Sequence, residues 1–312
     1  AWKSLVGQLT RVSRKHRVRV GEDRLAPDRN EEYFLYQSLL AAWPLEDGRP
    51  GEDFLARMEA YVVKAAKEAK VNTSWVNPDA SWDEALVLFL RRLLADEAFY
   101  RIFEPFQAWV AQAGIHNSLA QALLKLVSPG VPDIYQGCER FDFSLVDPDN
   151  RRPVNFRLLE DALREMDGED RAGLCRHLWA ERTNGKIKQY VTARALDLRR
   201  RETELFASGD YLPLEFSGPM REHLVGISRR KGPRSVIAVV PRLVARLLDQ
   251  DDPWKDTHLI LPGGTGAAPW RDWLTGTTLR PQPIRHRYTL PVAELFQTLP
   301  LALLVSGENP GR

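Results

Sequence analysis

The twelve residues Ser128-Pro129-Gly130-Val131-Pro132-Asp133-Ile134-Tyr135-Gln136-Gly137-Cys138-Glu139 decide how the rest of the chain is read. Before them Ile115, Leu119, Leu123 and Val127 recur every four residues, with Ala120 and Leu124 widening the stripe. That spacing predicts an amphipathic helix. Pro129 and Gly130 stop it, and the apolar run Val131–Tyr135 predicts a short buried strand. Gly137 ends the strand and opens a polar loop running to Asn155. Helix, tight turn, short strand and polar loop is the unit of a (β/α)8 barrel, whose binding residues sit on loops after the strands. The same order occurs in other α/β proteins, so the residues alone leave the choice open.

Outward from this stretch the chain divides by texture. Residues 1–30 are basic, with Arg11, Arg14, Lys15, Arg17 and Arg19 close together, and predict a solvated helix and loop. Asn30, followed by Glu31 and Glu32, is the expected cap of a helix that carries Tyr36, Leu39, Leu40 and Trp43 and ends at Pro44. Phe54, Met58, Tyr61, Val62 and Ala65 mark a second helix, and Leu86, Phe89, Leu90, Leu93 and Leu94 a third. Phe99, Ile102, Phe103, Phe106 and Val110 mark a fourth, which Pro105 is expected to kink or break. So many helices ahead of one strand predict a helical subdomain over 1–114, inserted between barrel strands.

Residues 115–205 are then expected to form the C-terminal end of the barrel, with helices around Leu174–Trp179 and Ile187–Leu198. Arg199-Arg200-Arg201 would sit at the negative end of the latter helix. From 206 to 312 short β runs separated by Gly and Pro predict a C-terminal antiparallel β-sandwich domain. These runs are Tyr211–Phe216, Leu224–Ser228, Ser235–Val240, His258–Leu261, Arg287–Leu290 and Leu301–Val305. The fold class expected is therefore mixed α+β and α/β. It combines a helical subdomain, the last strand and helices of an incomplete barrel, and an antiparallel sandwich.

Bulk properties exclude several functions. The 312 residues are 44% apolar and 28% charged, an ordinary globular composition. A net charge of +2, with arginines dispersed, argues against a nucleic-acid partner. No apolar run approaches the length of a membrane span. Two cysteines, Cys138 and Cys175, give neither a disulfide framework nor metal-ligand spacing, which suits a reducing cytoplasm. No metal or cofactor is expected. The start at Ala1, without an initiator Met or a signal peptide, fits an excised piece of a longer protein.

Four further stretches narrow the reading. They are Asn30–Tyr33 through Trp43-Pro44, Ala69-Lys70-Val71-Asn72-Thr73-Ser74-Trp75, Ser144–Phe156 (SLVDPDNRRPVNF), and Gly185–Lys188 to Asp210–Leu214. With G-V-P-D-I-Y-Q-G-x-E at Gly130–Glu139, the chain resembles the maltooligosyl trehalose synthases, a family of the α-amylase superfamily (glycoside hydrolase family 13). The resemblance extends over nearly the whole chain. It implies a retaining isomerase that moves the reducing-end glucose of a maltooligosaccharide from an α-1,4 to an α,α-1,1 linkage. It also implies that the three catalytic carboxylates lie on a preceding part of the enzyme, because their motifs do not occur here. The partners implied are a maltooligosaccharide or α-1,4-glucan and that missing N-terminal part. Another α-glucan hydrolase or glucosyltransferase, or a non-catalytic carbohydrate-binding unit, is the alternative.

Glycoside transfer needs two carboxylates across the bond. Asp133, Glu139, Asp142, Asp147 and Asp149 are the nearby acids, and turn-forming or capping roles suit most of them, so no catalytic residue is assigned. The substrate-binding candidates are Tyr135, Gln136, Asp142, Asp147, Asp149, Asn150, Arg151 and Arg152, a mixture of acceptors and fork-shaped donors. Arg151 or Arg152 can equally hold the loop by pairing with a carboxylate. Trp75 and Trp82 can be sugar platforms or packing residues. His116 reads as a satisfied helix-terminal histidine, Cys138 as a small apolar filler, and Gly263-Gly264-Thr265-Gly266 as a turn without phosphate-loop features.

Overall fold

The computed structural model describes residues 1–45, 48–264 and 266–306. It divides into two compact units, one of residues 1–111 with 143–153 and the other of 112–142 with 154–312.

The first unit is helical. It contains α1 (Trp2–Ser13), a hairpin of β1 (Val18–Val20) and β2 (Arg24–Ala26), α2 (Arg29–Ala42), α3 (Glu52–Ala69), α4 (Ala80–Leu94) and the first half of α5 (Glu97–Val127). The hairpin lies in the stretch expected to be helix and loop; its register pairs Val18 with Ala26 and Val20 with Arg24. Val20 and Ala26 are buried while Arg19 and Arg24 of the hairpin face out, so burial of two small apolar side chains decides it.

The cap of helix α2 is Asp28, two residues before the expected one. Asp28 accepts from the Asn30 and Glu31 amides at 2.8 Å each, and Glu31 returns a bond to the Asp28 amide at 2.9 Å. This reciprocal capping box satisfies orphan amides at the start of the helix. The core joins Leu5, Leu9, Tyr36, Leu39, Met58, Phe89, Leu90, Phe99 and Phe103. Trp43 lies within it, its ring 4.7 Å from that of Phe103. That packing explains a second departure: α5 runs unbroken through Pro105. Proline removes one helical hydrogen bond, but Phe99 and Phe103, both fully buried, hold the turn before it in place.

In the second unit α5 ends at the Ser128-Pro129-Gly130 turn, with Gly130 at φ +96°. The strand expected at Val131–Tyr135 does not form. Val131 is 96% exposed and Tyr135 62% exposed, and no described strand pairs with them. A parallel barrel strand exists through its neighbours' hydrogen bonds, and the described residues supply none. The segment instead turns, with Cys138 N bonded to Tyr135 O at 3.0 Å and Gly137 at φ +88° facing Val154.

Helices α6 (Phe156–Glu165), α7 (Arg171–Ala180), α8 (Lys186–Arg201) and α9 (Thr203–Ser208) follow. Asn155 and Asp170 cap α6 and α7 through Leu158 N and Gly173 N. Arg199 does not serve its own helix end: it donates to Leu126 O at 2.7 Å and Gly130 O at 2.7 Å, closing the end of α5.

The remainder is antiparallel. Its strands are β3 (Asp210–Pro213), β4 (Glu215–Ser217), β5 (Leu224–Lys231), β6 (Arg234–Pro241), β7 (His258–Ile260), β8 (Trp270–Asp272), β9 (Thr278–Leu279), β10 (Gln282–Ile284), β11 (Arg287–Pro291) and β12 (Ala302–Ser306), with a short helix α10 (Val292–Leu295). They form a six-stranded sheet, β3-β5-β6-β12-β8-β9, and a four-stranded sheet, β10-β11-β7-β4. Leu224, Ile237, Val239, Trp270 and Leu304 of the larger sheet share a core with Leu259 and Leu290 of the smaller. All six expected runs carry strands; β8, β9 and β10 are too short to show a period of two. Among the described residues no helix is long and apolar enough to cross a membrane.

Candidate functional site

The loop Phe143–Pro153 is pinned to helix α3 within the first unit. Arg57 grips Asp149 with two donors, Nε to Oδ1 at 2.8 Å and Nη2 to Oδ2 at 2.9 Å, and also donates from Nη2 to Phe143 O at 3.0 Å. Two turns on, Lys64 donates to Asp147 O. Leu145 N donates to Asp149 Oδ2 at 2.6 Å, and the Leu145 side chain packs on the helical core. The sequence permits this because Arg57 and Lys64 are seven residues apart, two turns along one helix face. A short 3-10 turn, Asp149–Arg151, then carries the chain back outward.

The site candidates of this loop separate into inner and outer groups. Asp149 is inward, its side chain 7% exposed. Burial pushes its carboxyl up, but the Arg57 guanidinium and the Leu145 amide outweigh that and hold it below the usual range. Asp147 stays outward. Arg151 is bonded to it at 2.5 Å and, with the Asn150 side chain, keeps its carboxyl low. Arg152 donates to Asp149 O at 3.1 Å and to Ser144 Oγ at 3.2 Å while leaving its guanidinium half-exposed. Asn150, Arg151 and Arg152 all face solvent.

Tyr135, Gln136 and Asp142 belong to the second unit, and all three are exposed. Beside them Lys125 donates to Asp133 O at 2.7 Å, and Lys188 to Arg140 O at 2.9 Å. Burial pulls the Lys188 ammonium below its ordinary value. Cys138, 3.9 Å from the Asp142 carboxylate, has its thiol pushed up by burial first and that carboxylate second. It is held as a thiol and makes a poor nucleophile. His116 is not helix-terminal: it sits within α5, bonded to Gln112 O at 2.8 Å and edge-on to Trp179 at 5.1 Å. Burial lowers its basicity, so it stays neutral.

Chemically these residues offer hydrogen-bond donors and ionised acceptors. A general acid for glycoside transfer needs a raised carboxyl. Asp147 and Asp149 are both lowered, and so act as acceptors. Among the described residues no group of three or more His, Cys, Asp or Glu side chains is arranged to hold a metal.

No family model matches the chain. A curated Mycobacterium tuberculosis protein bearing the name maltooligosyl trehalose synthase is 36% identical over 283 residues, 90% of this chain and 32% of its own length. The maltooligosyltrehalose synthase structure from Arthrobacter ramosus superposes with a TM-score of 0.75 at 33% identity, covering 98% of this chain and 35% of that one. A Sulfolobus tokodaii structure described as a hypothetical maltooligosyl trehalose synthase gives a TM-score of 0.67 at 28% identity over 97% of this chain and 34% of that one. The chain is similar along nearly its whole length to the maltooligosyl trehalose synthases. It spans about a third of the length of the relatives it matches, corresponding to a C-terminal part.

Within this synthase-like stretch, sequence reasoning missed Arg57, Lys64 and Arg229. Arg229 is 2% exposed and donates to the carbonyls of Val127, Leu205, Phe206, Gly209 and Asp210. A central strand arginine in a run of buried positions (Leu224–Arg229) is the signal that could have flagged it, since an unpaired charge there needs neutral acceptors. The two tryptophans divide. Trp82 is 2% exposed and donates to Glu31 at 3.0 Å, a packing residue. Trp75 is 60% exposed, with the Lys67 ammonium 4.9 Å over its ring.

Proposed function

We propose that the chain is the C-terminal portion of a retaining isomerase of trehalose biosynthesis. That enzyme converts the reducing-end α-1,4 linkage of a maltooligosaccharide into an α,α-1,1 linkage. The observation that carries this is continuous likeness. Relatives bearing that one name match along 90% of the sequence and 98% of the structure. On this reading residues 1–114 are a helical subdomain inserted between strands of a (β/α)8 barrel, 115–205 the C-terminal end of that barrel, and 206–312 a β domain. The catalytic carboxylates lie on the rest of the enzyme, which is cytoplasmic.

The chemistry proposed for this stretch is enclosure and sugar binding. Intramolecular transfer requires that a released glucose turn over in place while water is kept from the glycosyl-enzyme. Asp147, Asn150, Arg151 and Arg152 would present donors and acceptors to sugar from the loop of the first unit; Tyr135, Gln136 and Asp142 of the second unit are separate candidates for sugar contact. Charged acceptors beside planar donors suit the alternating roles of sugar hydroxyls. Support comes from the outward-facing donors of the pinned loop and from the lowered Asp147, which is ionised at neutral pH.

The test is an assay of two proteins. The purified 312-residue chain should leave maltopentaose unchanged, and a longer family polypeptide containing it should form the trehalosyl isomer. Turnover by the short chain alone, free of contaminating enzyme, overturns the division of labour. A longer polypeptide that only hydrolyses glucan overturns the isomerase reading.

A further inference from the structure

We propose that Arg57 is the positioning residue of the sugar-facing loop, setting the aim of Arg151 and Arg152 without touching sugar itself. The inference rests on the reading that this loop presents its outer groups to sugar.

Three observations carry it. First, Arg57 engages the loop at two separated points, the Phe143 carbonyl at its entry and the Asp149 carboxylate at its apex. A planar fork meeting a planar carboxylate fixes orientation as well as distance, which a lysine cannot do. Second, Asp149 passes the constraint on. Its carboxylate takes the Leu145 amide at 2.6 Å, and its carbonyl takes Arg152 Nε at 3.1 Å. The chain of contacts therefore runs from α3 through Arg57 and Asp149 to Arg152. Third, the pair is withdrawn from solvent, at 16% and 7% side-chain exposure, while Arg151 and Arg152 are 71% and 45% exposed. A withdrawn pair gives little net stability after desolvation, but it fixes geometry well. Hydrogen-bonding groups misplaced by an ångström lose most of their effect on a reacting sugar.

The experiment uses the longer family enzyme carrying this stretch, with variants R57A, R57K, R152A and R57A/R152A. Four quantities are measured: kcat, KM, the ratio of trehalosyl product to released glucose, and Leu145 amide exchange. R57A should lower kcat/KM about tenfold or more and shift products toward free glucose. In the R152A background it should add almost nothing, because it acts through the same arm. R57K keeps the charge and the fold but loses the fork. It should speed Leu145 amide exchange and shift the product ratio the same way. A lower melting temperature with KM and product ratio unchanged in R57A, or in R57K should R57A not fold, overturns the positioning role. So does full additivity with R152A. If R151A and R152A both leave kinetics unchanged, the sugar-binding reading fails instead. An R152A effect without an R57 effect removes only this inference.

Discussion

Arg57 and Asp149 stand 92 positions apart in the chain and meet through two parallel hydrogen bonds of 2.8 and 2.9 Å. The pair makes the loop Phe143–Pro153 a part of the helical unit, although it follows residues of the other. It also sorts the loop's acids: Asp149 is committed to holding the loop, and Asp147 remains at the surface.

The outer arginines give the first prediction. In the longer enzyme, Arg152→Ala should cut kcat/KM about tenfold or more while shifting the melting temperature by only a degree or two, since a half-exposed ion pair contributes little stability. Arg151→Ala should act in the same direction. Steady-state kinetics on maltopentaose beside thermal melts decide it. A fall in melting temperature that tracks the loss of activity would make both arginines loop braces.

Asp272 gives a pH prediction. It is buried, accepts from the Leu274 amide at 3.0 Å and the Thr275 hydroxyl at 2.9 Å, and burial pushes its carboxyl up to about 6. The folded state therefore binds this proton more tightly than the unfolded chain does. Its contribution is fully present below the unfolded value near ~4 and is lost as pH rises through about 6. Chemical denaturation at pH 4.5 and 7.5 should show Asp272→Asn losing that slope, worth on the order of 2 kcal/mol between the two pH values. An identical slope in the variant would contradict it.

Arg229 concerns stability alone. Replacing it by Leu removes the donors of several buried carbonyls and should destabilise the second unit by about 3 kcal/mol or more. Denaturant midpoints of wild type and variant measure this. A change under about 0.5 kcal/mol would mean that other donors satisfy those carbonyls.

The two tryptophans make a paired control on the 312-residue chain. Trp82→Ala should cost about 3–5 kcal/mol, because a fully buried indole leaves a cavity. Trp75→Ala should fall within about 0.5 kcal/mol of wild type, being exposed. Equal losses would refute the division drawn from burial.

Much of this protein was settled by local order in the sequence. The stripe Ile115–Leu119–Leu123–Val127 marks a helix whichever partner it meets, and Ile115, Leu119, Leu123 and Val127 are all buried. The β runs from 211 onward appear as paired antiparallel strands for the same reason, since short periodic segments with Gly and Pro between them leave few alternatives. Long motifs such as Ser144–Phe156 marked the family likeness directly, and the mixed donors and acceptors of that loop were visible as residue types.

Tertiary structure decided what depends on a partner distant in sequence. Val131–Tyr135 has strand composition, but among the described residues no strand pairs with it, so it does not become one. Pro105 has a helix breaker's chemistry, yet Trp43, Phe99 and Phe103 packed around its turn keep α5 whole. The choice between Asp147 and Asp149 could not be read from two acids separated by one proline, because it depends on where Arg57 arrives. Periodicity reports which face of an element is apolar. It carries no information about which helix that face meets, or about which of two adjacent carboxylates a cation 92 positions away will take.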